Sequence, residues 1–328
     1  MKVRSGFLWK IGLITASRLV LNTARRFAYP FAPVLSRGLG VPLTAITSLI
    51  AVNQATTIFG LLIGPVTDRL GYRRMMLTGL GVLTFGMAAA SVFPVYGAVF
   101  LALALAGLGK TIFDPAMQSY ISELVPFERR ARAIGILEFA WAGSSLVGIP
   151  LIAVLIDRLG WRAPFFLLSG IGVLSLFALS LFLPKEPERV RPRQLTWGCW
   201  QAFRILLSNR IALVTLGFGF CFCLANDAIF VVYGAWLEQR FQVSIVIIGL
   251  STTVIGIAEL AGELLTTAIS DKVGVEHVVI GGLLLCVFSY ALLPWCSHAF
   301  VLALGGWFFI FFIVEFTIIN FLSLCTEL

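Results

Sequence analysis

Long apolar runs, each of the length a helix needs to cross a bilayer and separated by short basic loops, constrain this chain more than any other feature. They are read at about ten places, residues 8–36, 43–67, 75–93, 96–121, 133–156, 163–183, 210–236, 244–268, 277–294 and 299–324. A run of about 20 apolar residues spans the hydrocarbon core, and without water the backbone there must bond to itself as helix. Of the 328 residues 59% are hydrophobic and 12% charged, and the mean hydropathy is +0.98. A soluble domain does not reach that value. The composition predicts an all-α polytopic membrane protein.

The net charge of +8 does not point to nucleic acid, because the basic residues sit mostly in the short loops and act there as orientation signals. One set of alternate loops holds only Arg37, Arg158, Arg162 and Arg240, so the opposite ends and the N-terminus are expected to be cytoplasmic. Lys2, Arg4 and Lys10 precede the first run as they would in a signal peptide. Arg18 interrupts that run and no small-residue cleavage pattern clearly follows, so a retained first helix is expected. The cysteines at 199, 221, 223, 286, 296 and 325 lie without a histidine or carboxylate pattern for a metal and read as small apolar fillers. His277 and His298 lie near helix ends and read as interfacial. No metal or cofactor is expected, and no enzymatic activity, because neither a nucleophile–base spacing nor a phosphate-binding glycine loop is present.

The most specific short stretch is residues 64–74, GPVTDRLGYRR. Asp68 falls at a helix end whose carbonyls already carry negative partial charge, so a cation or a helix N-terminus must answer it. Arg69, Arg73 and Arg74 are the local candidates, and Gly71 permits a tight turn. This spacing resembles the loop between helices 2 and 3 of the major facilitator superfamily of secondary transporters. The resemblance implies a helical bundle of two pseudo-repeated halves and a conformational latch at Gly64, Asp68, Arg69, Gly71, Arg73 and Arg74. A bare topology signal is the competing reading of the same arginines.

An internal repeat agrees with two halves. Residues 41–71 and 244–274 both end in Asp-basic-x-Gly, DRLG and DKVG, and Ser122-Glu123-Leu124 recurs as Thr326-Glu327-Leu328. The expected division is a six-helix N-terminal half at 1–184, a cytoplasmic linker at 185–208 and four helices at 209–328. Trp197, Trp200, Phe203 and Leu207 suggest a short amphipathic helix within the linker. The family pattern calls for twelve spans. The sequence is therefore expected to be a piece lacking about sixty residues equivalent to 125–184.

Charges within the runs carry the functional reading, since each costs roughly 2.5–3.5 kcal/mol on insertion scales. They are Arg18, Arg25, Arg26 and Lys110 against Asp114, Glu138, Asp227, Glu259, Glu263 and Glu315. Arg18, Asn22, Arg25 or Arg26, and Tyr29 follow one another by about a helical turn and form a stripe. At about 1.5 Å per residue Arg18 is roughly 15 Å deep, which favours a stripe facing an anion or carboxylate in a cavity over snorkelling. Lys110 and Asp114 are four apart and can pair, either as structure or as part of a site. Asn226 and Asp227 lie mid-membrane between apolar flanks. Glu259 and Glu263 share one face and are expected nearer the cytoplasmic end and water. Such a carboxylate can exchange protons or serve as a static partner for Arg18 or Arg25, and Asp227 is the first choice for coupling. The cavity candidates are thus Arg18, Asn22, Arg25, Lys110, Asp114, Asp227, Glu259 and Glu263.

Gly143, Gly148 and Pro150 resemble the glycine-proline pattern of antiporters in the same superfamily, which favours export over uptake. The expected function is transmembrane transport of a small organic solute by alternating access, coupled to protons, by a monomer in the plasma (inner) membrane among its lipids. A non-transporting membrane sensor or assembly factor of the same fold is the alternative.

Overall fold

The computed structural model describes residues 2–125, 127–183, 204 and 208–327, and every regular element in that range is helical. The chain runs through α1 (Lys2–Arg26), α2 (Ala32–Leu39), α3 (Leu43–Ala55), a 3-10 turn (Thr56–Phe59) and α4 (Gly60–Leu70). It continues through α5 (Tyr72–Val92), α6 (Tyr96–Leu124) and α7 (Phe127–Gly143) to a π segment (Ser144–Gly148), α8 (Ile149–Leu159) and α9 (Ala163–Phe182). The C-terminal helices are α10 (Arg210–Phe241), α11 (Ile245–Val273), α12 (Val275–Cys296) and α13 (Phe300–Glu327). The amphipathic helix expected within 185–208 falls outside the described residues, apart from Arg204 and Ser208.

Seven of the expected spans each coincide with one helix, α5, α6 and α9 to α13. The other three are interrupted. The first breaks after Arg26, because Pro30 has no N–H to donate and pushes Tyr29 out of helical conformation. The second passes through the 3-10 turn. The fifth passes through the π segment, which lies between Gly143 and Pro150. Among the described residues eight segments are long and apolar enough to cross a membrane, or nine if the bent pair of α2 and the α3 segment is one span, against the ten expected. The first span is not among them because Lys10, Arg18, Arg25 and Arg26 load it with charge. The second is divided, and α2 meets the α3 segment at 120° instead of continuing it.

Tight turns between helices occur at Gly71, Gly160 and Gly274, with φ of 91°, 86° and 90°, a backbone conformation that residues bearing a Cβ rarely adopt. Gly71 and Gly274 close the repeated DRLG and DKVG segments with nearly the same backbone, ψ 145° and 129°. Gly160 closes a further DRLG, residues 157–160, at the opposite end of the bundle. The four letters alone therefore encode a helix-reversing turn; the arginines that follow Gly71 distinguish the first copy.

Large apolar side chains such as Phe85, Phe177, Val214 and Leu284 point outward, as a lipid-facing surface requires. Inside, small residues set the helix approaches. Gly79 of α5 and Gly109 of α6 face each other so closely that a Cβ on either would lie 2.5 Å from the other's carbonyl oxygen. The N-terminal and C-terminal helices meet mainly where α11 crosses the π segment and α8. A π turn leaves carbonyls without helical donors, and here α11 supplies hydroxyls: Thr252 Oγ1 donates to Ser145 O at 3.0 Å and Thr253 Oγ1 to Leu146 O at 3.4 Å. Gly249 against Ala153 and Gly256 against Leu146 let the helices close to that distance. Nearer the Gly40 end, Gly234 of α10 rests on the Pro30 carbonyl, and Arg37 pairs with Glu238 at 2.8 Å.

Gly109→Val is expected to overpack the α5–α6 crossing and destabilise the protein by about 1–3 kcal/mol. Thermal unfolding of the purified protein in detergent measures this, and an unchanged midpoint contradicts the close contact.

Candidate functional site

The three interruptions place the polar residues. Arg25 and Arg26 occupy the last turn of α1, where exposed helix carbonyls favour a cation. Gln54 stands just before the 3-10 turn, and Ser144 and Ser145 lie in the π segment. Three polar groups result.

The first joins α1, α6 and α7. Lys110 Nζ lies 2.6 Å from Asp114 Oδ2 and donates to Asn22 Oδ1 at 2.6 Å. Arg18 Nε lies 3.5 Å from Asp114 Oδ1, and its Nη1 reaches Glu138 Oε1 at 2.9 Å and the Leu137 carbonyl at 2.8 Å. Arg18 is thus answered by carboxylates of its own helical set. The expected i, i+4 pair of Lys110 and Asp114 forms, but Asp114 serves two cations.

The second group crosses to the C-terminal helices. Arg25 Nε donates to Gln54 Oε1 at 2.9 Å, and Gln54 Nε2 donates to Asp227 Oδ2 at 2.6 Å. An amide can do this because it carries an acceptor and donors at opposite corners. Asp227 thus reaches Arg25 through Gln54 and forms no direct ion pair with it among the described residues. The neighbouring Asn226 keeps a buried Oδ1 with no hydrogen bond among the described residues.

The third group is the most enclosed. Arg26 Nη2 lies 2.7 Å from Glu259 Oε1, and Nη1 reaches Glu259 Oε2 at 3.4 Å and Ser144 Oγ at 3.3 Å. Ser145 Oγ donates to Glu259 Oε2 at 3.1 Å. The guanidinium carbon stands 4.2 Å from the Trp141 ring centroid and 5.3 Å from that of Phe230. Arg26 is 4% exposed and Glu259 2%. The expectation that Glu259 lies close to water is therefore corrected: α1, the π segment and α11 enclose it. Glu263, one turn further along α11, is half-buried and forms no hydrogen bond or ion pair among the described residues. Glu315 of α13 likewise has none, and its Cβ abuts Gly262. No three His, Cys, Asp or Glu side chains gather as a metal site among the described residues.

The candidate latch is less fully defined. Gly64 lies in α4 and Gly71 in the turn, Arg69 and Arg74 are exposed, and Arg73 donates from Nη2 to the Ser180 carbonyl of α9. The pairing expected of the Asp68 side chain lies outside the described residues. The structure unites Arg18 and Asn22 of α1 with Lys110 and Asp114 of α6, and links two carboxylates, Asp227 and Glu259, to Arg25 and Arg26 of α1. Gln54, Trp141, Ser144 and Ser145 were not singled out from the sequence. Arg26 and Glu138 were noted but left out of the candidate set. A lone amide inside an apolar run was the available signal for Gln54.

A family profile for the Major Facilitator Superfamily matches residues 14–328. The Bacillus subtilis (strain 168) uncharacterized MFS-type transporter YceJ is 27% identical over 79% of this chain and 65% of its own length. The Escherichia coli tetracycline resistance protein, class C, is 26% identical over 73% of this chain and 61% of its own. The chain thus spans less than two thirds of the length of these two relatives. A bacterial homologue of the human lysosomal transporter Spinster, in an inward-facing, unoccupied crystal structure, superposes with a TM-score of 0.70 at 15% identity, over 98% of this chain and 75% of that one.

Asp114→Asn is expected to leave Lys110 and Arg18 short of a buried partner and to cost about 3 kcal/mol. Thermal unfolding in detergent tests this. Recovery by Lys110→Met in the double variant separates the charge effect from a packing effect, and an unaltered midpoint in the single variant refutes the shared role of Asp114.

Proposed function

This chain belongs to the major facilitator superfamily, and from that premise we propose that it moves a small organic solute across the plasma (inner) membrane by alternating access, coupled to protons. The observation that carries this reading is the pair of polar links between the N-terminal and C-terminal helices, Arg26 to Glu259 and Arg25 through Gln54 to Asp227. In a low-dielectric interior such links are strong when complete and costly when half made. A proton or a solute that takes one partner's place therefore changes whether the two sets of helices hold together. That is the requirement for a transporter with two states.

The halves are residues 1–184 and 209–328, joined by a cytoplasmic linker, with the N-terminus cytoplasmic. In that orientation the Gly40 end faces outward, and the contacts gathered there correspond to a state closed on that side. Export is favoured by the Gly143, Gly148 and Pro150 pattern and by the resistance named for the Escherichia coli relative. The protein acts as a monomer within the lipid. Gly64, Asp68, Arg69, Gly71, Arg73 and Arg74 form the latch at the cytoplasmic face.

Asp227 is the coupling carboxylate. Facing it are Gln54, Arg25, Arg26 and Tyr29, with Cys223 one turn earlier on its own helix. Protonation removes the charge that strengthens the Gln54 bond and loosens the link to α1. Asp227→Asn is expected to abolish solute flux driven by a pH gradient in proteoliposomes while sparing solute exchange, which needs no net proton movement. Loss of both, with exchange restored by adding Arg25→Ala, makes Asp227 a structural counter-ion instead.

Asp68→Asn is expected to leave insertion intact and to cut flux at least tenfold, with Arg73→Ala milder because Arg74 stands beside it. Undiminished flux in Asp68→Asn reduces residues 64–74 to a topology signal. Absence of pH-driven flux of every solute tried favours the sensor reading.

A further inference from the structure

The cage around Arg26 has the chemistry of a cation receptor, and all of its walls come from elsewhere in the chain. Trp141 of α7 and Phe230 of α10 lie at 4.2 and 5.3 Å from the guanidinium carbon. The Glu259 carboxylate of α11 supplies the counter-charge at 2.7 Å. Ser144 accepts a hydrogen bond from Arg26, and Ser145 steadies the carboxylate. Aromatic faces attract any cation, because the attraction is to charge over the ring and not to the tether that brings it. α1 contributes only the occupant.

The charges around the cage point to a second cation. Away from their ends the spans hold four basic side chains, Arg18, Arg25, Arg26 and Lys110, against the six carboxylates named above. Glu263 and Glu315, the two without a hydrogen bond or ion pair among the described residues, both lie within electrostatic range of Glu259. A cation entering the cage meets Glu259 with two further carboxyl groups near it, whereas an anion meets an arginine, Arg26, that is already paired. Arg26 is on the last turn of α1, where helix carbonyls favour a cation, and a flexible side chain is all that ties its guanidinium to that helix.

We propose that the space filled by the Arg26 guanidinium is a binding site for a monovalent organic cation, with Arg26 as its resident competitor. The inference rests on the transport reading above and names its substrate class. Exchange replaces one caged cation by another, so the desolvation of Glu259 is not incurred a second time. It also removes the direct ion pair between α1 and α11. Solute binding and that link between the halves are therefore mutually exclusive.

A competitor that fills the site lowers the apparent affinity by the fraction of time the cage is closed to solute. Binding of radiolabelled 1-methyl-4-phenylpyridinium to the purified full chain in detergent tests this. Arg26→Ala is expected to bind it at least tenfold more tightly than the unaltered protein. Arg26→Ala/Glu259→Gln is expected to lose that gain, and neutral 4-phenylpyridine at pH 8 should not compete. Trp141→Ala, which leaves the ion pair in place and covers the case in which Arg26→Ala does not fold, is expected to bind about tenfold more weakly than the unaltered protein. Unchanged or weaker binding in folded Arg26→Ala, unchanged binding in Trp141→Ala, or equal competition by 4-phenylpyridine overturns the proposal. In proteoliposomes, pH-driven flux of a neutral or anionic solute without flux of the probe overturns the cation site and leaves transport standing. Cation binding without flux of any solute overturns the transport reading and leaves the site standing.

Discussion

An ion pair buried in the membrane-embedded contact between two sets of helices, Arg26 with Glu259, is the interaction on which the rest of the structure depends. Two isolated charges in hydrocarbon are costly, and their attraction offsets the cost only where further hydrogen bonds complete the pair. The surroundings meet that condition. The π segment brings Ser144 and Ser145 to the pair, α7 and α10 cover it with Trp141 and Phe230, and α11 approaches closely because Gly249 and Gly256 present no side chain. Helix irregularity, small residues and charge placement serve the same contact.

The three interrupted spans follow from this need. An unbroken α-helix satisfies its own backbone and offers a partner only side chains. Breaking the first span after Arg26 leaves carbonyls that favour the arginines beside them, and it exposes the Pro30 carbonyl to Gly234. The π turn in the fifth span offers carbonyls that Thr252 and Thr253 use. The 3-10 turn in the second follows Gln54, which spans from Arg25 to Asp227. Irregular backbone at membrane depth is tolerated where protein, and not lipid, lies against it. Residues 27–31 and Ser144 and Ser145 of the π segment are buried in this way, whereas Ile58 and Phe59 of the 3-10 turn are exposed.

The distribution of charge is uneven in a way that bears on function. The cluster on α1, α6 and α7 pairs Arg18 and Lys110 with Asp114 and Glu138 within one set of helices. That cluster can move as a rigid unit. The links through Gln54 and Glu259 instead join helices of different sets, and the surplus carboxylates Glu263 and Glu315 stand beside the second link. Any motion between the sets would have to rearrange these links.

The sequence by itself determined that this chain crosses a membrane as helices. The apolar runs are long, water is absent from the bilayer core, and no other backbone arrangement of such runs satisfies its own hydrogen bonds. It also marked the Gly71 and Gly274 turns through their repeated motif, and the Lys110–Asp114 pair through helical spacing. Only the tertiary structure decided which arginine of the adjacent pair enters the contact, that Arg18 is answered by Glu138 as well as Asp114, and that Gln54 bridges to Asp227. A helical period fixes the face of a residue on its own helix. It does not fix which other helix meets that face, because that depends on where backbones approach closely, and those approaches are set by glycines and helix breaks on several segments at once.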